Sequence, residues 1–398
     1  MYLSHKVELK PNNTQVTAFC QHVGVARHAW NWGLEQCNRI SEQRLKEKEE
    51  SGKATTKFPT AIDLHKRLVA EVKTENPWYY DVSKFSPQQS LIDLEKAFKR
   101  FFKKTSKKPK FKKKGRKASF FLESPSDIKV SDKAIRLPKI GWVRLKESVR
   151  PGVTIKSVVI SERAGRWFLA YKFEVEPQVN ESTSVVGVDI GVTKLAVLST
   201  GETFENKRIL SDEAKLRRLQ RKLSRQVMTS NRRKVTKQRI AVKCYKLSCK
   251  RLDVTHKLTS HLAKNHGVIV IEDLCVSGML RNRHLAASIQ HSNFGRIRSQ
   301  LEYKCQLYGS QLVVADRWFP SSQICNHCGH RQKMPLSSRI YKCPHCGNVE
   351  DRDLNAAKTL AVSHTVTARE NLEVAEWKHS VPGLLREEFN LLACVSKC

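Results

Sequence analysis

Two C-x-x-C pairs within CNHCGHRQKMPLSSRIYKCPHCGNVEDRDLNAA, residues 325 to 357, constrain the fold of this chain more than any other stretch. Cys325 and Cys328 form one pair, Cys343 and Cys346 the other, and a glycine follows each, Gly329 and Gly347. A glycine there lets the backbone turn tightly enough for both sulfurs of a pair to face one metal. Two such knuckles across a short loop set four thiolates in a tetrahedron, the closed arrangement of a structural Zn²⁺. A zinc ribbon is therefore expected over 323–348. His327 and His345 lie inside the knuckles as competing ligands, with a solvent-facing or nucleic-acid-facing role preferred for both. Asp351, Asp353 and Asn355 come next, among an apolar-periodic run of Leu354, Ala356, Ala357, Leu360 and Ala361. An acid at such a point is ordinarily a helix cap or first-turn residue. That role is compatible with catalysis, and partners upstream decide between them.

Charge narrows the partner. The 398 residues hold 73 Lys and Arg against 38 Asp and Glu, a net +35, which calls for a polyanion bound through counterion release. No run of 18 apolar residues exists, and the opening MYLSHKVELK lacks the character of a signal peptide. The expectation is a cytoplasmic, nucleoid-associated protein with no membrane partner. Cys20, Cys37, Cys244, Cys249, Cys275, Cys305, Cys394 and Cys398 share no spacing, as expected of small buried or incidental thiols in a reducing compartment.

In chain order, YLSHKVEL at 2–9 alternates as a strand, and Pro11-Asn12-Asn13-Thr14 supplies a turn and helix cap. A helical pattern over about 15–48 carries Phe19, His28, Trp30 and Trp32, for which core packing is preferred over base stacking. Helices over about 61–72 and 86–104 follow. The next stretch carries Lys103, Lys104, Lys107, Lys108, Lys110, Lys112, Lys113, Lys114 and Arg116 without an acid. Phe98, Phe101, Phe102 and Phe111 are interleaved, which favours nucleic acid over a merely solvated face. From 119 to 176 short alternating strands between Gly and Pro suggest a small β-barrel that the first strand joins. The helical lobe, 11–116, then becomes an insertion between 1–10 and 117–180.

The second half opens with VVGVDIGVTKLAVL, an apolar strand placing Asp189 near its end. An acid there is costly to bury unless it meets a cation. Two basic helices, about 211–227 and 232–265, pair their apolar stripes and turn Arg217, Arg218, Arg221, Arg225, Arg232 and Arg233 outward. GVIVIEDL then ends in Glu272 and Asp273; a helix over about 287–308, the strand QLVVADRW, the cysteine hairpin and a last helix from Asp353 complete the order. That order is RNase H-like, and the fold class expected is α+β multidomain, with the nuclease domain over 181–322 and 349–368. In such a fold Asp189, Glu272 and Asp353 converge at one sheet edge. Three carboxylates so placed repel one another unless divalent cations lie between them, and oxygen-only ligands suit two Mg²⁺, or Mn²⁺. Such ions serve in-line phosphodiester hydrolysis. No glycine loop of the ATP-binding type is present.

GVDIGVTKLAVLS, VIVIEDLCVSGML, PSSQICNHCG and DRDLNAAKTL together resemble the TnpB family of transposon-encoded RNA-guided DNA endonucleases, relatives of the type V CRISPR effectors. The resemblance implies a RuvC-type site on Asp189, Glu272 and Asp353, with Zn²⁺ ligands at Cys325, Cys328, Cys343 and Cys346. It also implies a guide RNA and a double-stranded DNA target with a short adjacent motif, held by a wedge-like barrel and a recognition lobe. Asp351 competes with Asp353, which fits the D-x-N-A-A pattern better. The rival readings are a non-cleaving RNA-guided repressor or transposition accessory protein, a guide-free structure-specific nuclease, and a ribosome-associated zinc protein. Residues 369–398 carry no usable motif and are expected to be a tail.

Overall fold

The computed structural model describes residues 1–115, 118–123, 126–206, 210–335 and 337–363, so Arg116 and the expected tail lie outside the described residues. The chain divides into two compact units, Met1–Glu176 with Lys215–Tyr245, and Pro177–Ala214 with the chain from Lys246 onward. The first unit therefore takes in a segment expected to lie within the nuclease domain. Contacts inside that unit explain why: Gln238 Nε2 donates to Ala164 O at 2.8 Å, and the Tyr245 ring packs on Phe168.

The first unit is built on strands β1 (Tyr2–Lys10), β2 (Ser119–Leu122), β3 (Lys129–Ser131), β4 (Ala134–Leu137), β5 (Gly141–Leu145), β6 (Ile155–Arg163) and β7 (Arg166–Glu174). They hydrogen-bond as one sheet in the order β2-β6-β7-β1-β5-β4-β3. β1 is central, in antiparallel register with β7 from Tyr2↔Glu174 to Leu9↔Trp167 and with β5 at Leu9↔Leu145. Alternate residues, Val7, Leu9, Ile160, Leu169 and Tyr171 among them, enter one core. β2 and β3 are the edges, so pairing among the described residues leaves the sheet open where a closed barrel was expected. β3 has three exposed residues and little apolar surface with which to close it.

Between β1 and β2 lies the helical lobe. Asn12 Oδ1 accepts from Gln15 N–H at 2.8 Å and Gln15 Oε1 from Asn12 N–H at 3.1 Å, a capping box that starts a helix over Asn13–Ser51. Gly33 lets that helix approach the one over Phe85–Phe102, since a Cβ there would lie 2.7 Å from Leu91 Cδ2. Phe19, Trp30 and Phe98 are buried, whereas Phe102 and Phe111 are 56% and 53% exposed. The interleaved phenylalanines thus split between core and surface.

In the second unit β8 (Val185–Asp189), β9 (Lys194–Leu198), β10 (Thr203–Glu205), β11 (Val268–Glu272) and β12 (Gln311–Ala315) form a sheet in the order β10-β9-β8-β11-β12. β11 is parallel to both β8 and β12, while β9 and β10 return antiparallel. Val186, Val188, Ile269, Val270 and Ile271 are buried, as continuous apolar runs require in covered parallel strands. The expected helix over 287–308 is two, Ala286–Ser292 and Phe294–Tyr308, broken where Asn293 adopts φ 56°, a left-handed conformation that asparagine tolerates. Arg233 also departs from expectation. Its guanidinium does not face outward but donates to Leu223 O and Gln226 O, covering the end of the Leu210–Ser224 helix.

A final helix over 352–363 lies directly on β8. A Cβ on Gly187 would fall 2.0 Å from Ala357 O and 2.6 Å from Ala361 N, so strand and helix touch backbone to backbone. Gly187→Val is expected to destabilise the protein by about 3 kcal/mol, because main chain and not a rotatable side chain would have to move. Gly24→Ala, a helical site with nothing within 4 Å, should instead stabilise by about 0.5–1 kcal/mol. Chemical denaturation of the two variants checks both signs.

Candidate active site

Asp189 ends β8 and Glu272 ends β11. These strands are parallel neighbours with Val188 opposite Ile271, so the two acids emerge side by side at one edge of the sheet. The 352–363 helix, seated on Gly187, brings Asp353 in its first turn to the same edge. Burial, then the negative charges of Glu272 and Asp353, push the Asp189 carboxyl up to about 7; Arg352 opposes this and Asp351 adds to it. Asp189 therefore feels both acids that the sequence placed with it.

The flanking acids are otherwise engaged. Asp351 Oδ1 accepts from the N–H groups of Asp353 at 2.9 Å and Leu354 at 3.1 Å, and its Oδ2 meets Lys194 Nζ at 3.2 Å. It is the helix cap, and of the two acids Asp353 acts more strongly on Asp189. Burial opposes ionisation of Asp351, but those N–H groups and the ammonium outweigh it and lower the carboxyl. Asp353 itself pairs with Arg352 Nη2 at 3.0 Å. Beside Glu272, Asp273 is clamped by Arg317 and Arg298, which hold its carboxyl below the usual range. Ser321, buried at 4% exposure, donates its hydroxyl to Glu272 Oε1 and fixes that carboxylate.

Among the described residues only the four cysteines place three or more ligating atoms within 4.8 Å of one another. Cys325 Sγ lies 3.7 Å from Cys346 Sγ and Cys328 Sγ 3.6 Å from Cys343 Sγ. A tetrahedron with metal–sulfur bonds of ~2.3 Å has edges of ~3.8 Å, so this donor set fits Zn²⁺. Gly329 and Gly347, at φ 74° and 73°, turn back to donate to Cys325 O and Cys343 O. Neither His327 nor His345 belongs to the cluster; His345 stacks on His330 with ring centroids 5.8 Å apart. The carboxylate oxygens of Asp189, Glu272 and Asp353 do not all lie within 4.8 Å of one another. Paired catalytic ions are spaced by ~3.5–4 Å, and acids that hold them from different sides stand correspondingly wider.

One side chain ties the cysteine hairpin to the acids. Asn355 is fully buried; its Oδ1 accepts from Asn326 N–H at 3.0 Å and its Nδ2 donates to Ile324 O at 2.7 Å. The first knuckle is thereby fastened two residues from Asp353.

In the first unit, Lys103, Lys104, Lys107, Lys108, Lys110, Lys113 and Lys114 are exposed. The segment is not a free run. Asn31 and Lys112 exchange hydrogen bonds at 2.8 and 3.0 Å, Trp30 Nε1 donates to Lys110 O at 3.1 Å, and the Lys112 ammonium sits 3.8 Å over the Trp30 ring. Arg217, Arg218 and Arg221 are exposed along the Leu210–Ser224 helix, and Arg225, also exposed, lies just past it.

Comparison with known proteins fits this arrangement. A family model described as "Probable transposase" (OrfB_IS605) matches residues 168–283, a "Cas12f1-like, TNB domain" matches 294–360, and a "Helix-turn-helix domain" matches 1–46. A Streptomyces pristinaespiralis protein named "Putative RNA-guided DNA endonuclease" is 36% identical over 369 residues, covering 89% of this chain and 87% of its own. The chain belongs to the TnpB (OrfB) family. Another TnpB-family relative, from Escherichia coli K12 and named "Putative RNA-guided DNA endonuclease InsQ", is 34% identical over 384 residues, covering 91% and 92%. A Cas12f1 chain solved as a Cas12f1-sgRNA-target DNA complex superposes with a TM-score of 0.57 at 14% identity, over 87% of this chain and 82% of that one, a likeness of fold alone. In this TnpB-family chain the segment matched as helix-turn-helix is β1 followed by an unbroken helix. Sequence reasoning missed Ser321 and the arginines on Asp273; the run PSSQ after β12 was the available signal for the first.

The elevated Asp189 carboxyl predicts how stability changes with pH without added divalent metal. Between about pH 4 and 7 the folded protein keeps a proton that the unfolded chain has released, so this contribution is full below pH 4 and is lost as pH rises through about 7. Denaturation midpoints should fall from pH 5 to pH 8, and Asp189→Asn should flatten that slope.

Proposed function

We propose that this protein is an RNA-guided DNA endonuclease that hydrolyses phosphodiesters of a double-stranded DNA target at Asp189, Glu272 and Asp353. The observation that carries this is the placement of Asp189 and Glu272 at adjacent ends of parallel β8 and β11, close enough to Asp353 that, after burial itself, both acids raise the Asp189 carboxyl. A site that strains to stay ionised without a counter-charge is fitted for cations. The relatives' names point to the same activity, and the solved complex of similar fold contains a guide RNA and target DNA. The β8–β12 sheet with its final helix is read as an RNase H-like, RuvC-type domain, and the seven-stranded sheet as the wedge of a guide-RNA scaffold that also meets the short target-adjacent motif.

Asp189, Glu272 and Asp353 would hold two Mg²⁺, with Mn²⁺ as a substitute. Bound there, such ions activate water and stabilise the leaving oxygen of an in-line displacement. The chain's own part is orientation: Ser321 aims Glu272, Asp351 caps the helix that presents Asp353, and Arg352 tempers the negative field. Cys325, Cys328, Cys343 and Cys346 would hold one structural Zn²⁺. The exposed Lys103, Lys104, Lys107, Lys108, Lys110, Lys113 and Lys114, with Lys112, Arg217, Arg218, Arg221 and Arg225, would neutralise guide and target backbones in a basic channel. A net +35 suits that load.

Asp189→Ala should bind the co-purifying RNA and a matched DNA target as the wild type does, while Mg²⁺-dependent cleavage falls at least about a thousandfold. Loss of binding together with cleavage would mark the acids as structural, and a wild type that binds without cutting would mark a repressor. Elemental analysis should find one Zn²⁺ per chain. Cys343→Ser should lower the melting temperature, because Cys325, Tyr341 and Cys343 form the buried core of the hairpin among the described residues.

A further inference from the structure

The loop at 316–324, between β12 and the first cysteine knuckle, holds one large ring out in water. Trp318 is 84% exposed, although few side chains gain more from burial. Its backbone is fixed. Trp318 N–H donates to Asp316 Oδ1 at 2.8 Å and Phe319 N–H to Asp316 O at 3.1 Å, a tight turn with the ring at its apex. On one side Arg317 is locked to Asp273; on the other, Ser321 donates to Glu272. The turn is therefore anchored at both flanks to the end of β11, where Glu272 sits.

Charge at this edge explains what such a ring is for. Lys194 is paired with Asp351, Arg352 with Asp353, and Arg298 and Arg317 with Asp273. These four cations are thus already committed to carboxylates. A grip on the base does not depend on charge and does not compete with metal for the acids. A flat aromatic face accepts any base, but only an unpaired one, since bases in a duplex have their faces covered. We propose that Trp318 is a stacking platform for an unpaired base of the DNA strand to be cut, a positioning residue that seats the adjoining phosphodiester at Glu272 and Asp189. This rests on the nuclease reading above.

The test uses the full chain with its co-purifying RNA and a DNA target matched to that guide. Trp318→Ala should slow single-turnover cleavage about tenfold to a hundredfold, the effect of losing one base stack, and Trp318→Phe should restore it to within about threefold. Melting temperature and RNA binding should not change. In the Asp189→Ala protein, 2-aminopurine placed stepwise along the target strand should be quenched at one position, and Trp318→Ala should abolish that quench. The quench reads the stack whether or not the bond is cut, so a wild type that fails to cleave in Mg²⁺ overturns the nuclease reading separately. Cleavage and quench unaffected by Trp318→Ala, with the ring instead needed to bind another protein, would overturn the proposal.

Discussion

Burial and mutual repulsion of acids brought to one edge of a mixed sheet, at the ends of its parallel strands, are the constraint around which the second unit is built. Asp189 is not left there by chance packing. β8 and β11 are held in parallel register, and a glycine in β8 lets a helix press close enough to carry Asp353 in. Each of those choices costs stability in the metal-free protein, since like charges in a poorly solvated place raise one another's proton affinity. The neighbouring groups confine the conflict: Asp351 and Asp273 are neutralised by their own partners, Asp353 is balanced in part by Arg352, and the remaining negative charge rests chiefly on Asp189 and Glu272.

The cysteine hairpin is part of the same construction. It joins β12 to the last helix, and Asn355 fastens its first knuckle to that helix through Asn326 and Ile324. Lys358 and Glu350 form a second tie, with Asn326 also donating to Glu350 at 2.6 Å. A segment of this size buries too little apolar surface to be rigid alone. Its four sulfurs are set to take one metal, which would supply the missing constraint, and the asparagine pair links the first knuckle to the turn that presents Asp353.

Most of this was legible in the sequence where the signal is local and periodic. The C-x-x-C-G repeats, the apolar strands ending in Asp189 and Glu272, and Asn12 as a cap each state their geometry within a few residues. Choosing Asp353 over Asp351 was possible only by pattern; in the structure the Asp351 carboxylate accepts from the N–H groups of Asp353 and Leu354, while Asp353 pairs with Arg352. What could not be read depends on long-range approach. Nothing near Gly187 announces that Ala357 will rest on it. Ser321 meets Glu272 across 49 positions, and Arg233 turns inward because a helix end 10 residues away needs its carbonyls covered. That the basic tract is tied down could not be read, because its tether, Asn31 and Trp30, lies some 80 residues upstream.

The seat of the 352–363 helix on Gly187 also sets an order of events at the ribosome. Domains tend to fold as they emerge, N-terminal first. The basic first unit has most of its sequence available early, whereas Asp353 is synthesised after both strands that await it and after the cysteine hairpin. On the nuclease reading proposed above, a nascent or prematurely terminated chain would carry most of its basic surface before the third acid. Competence to grip would then precede competence to cut.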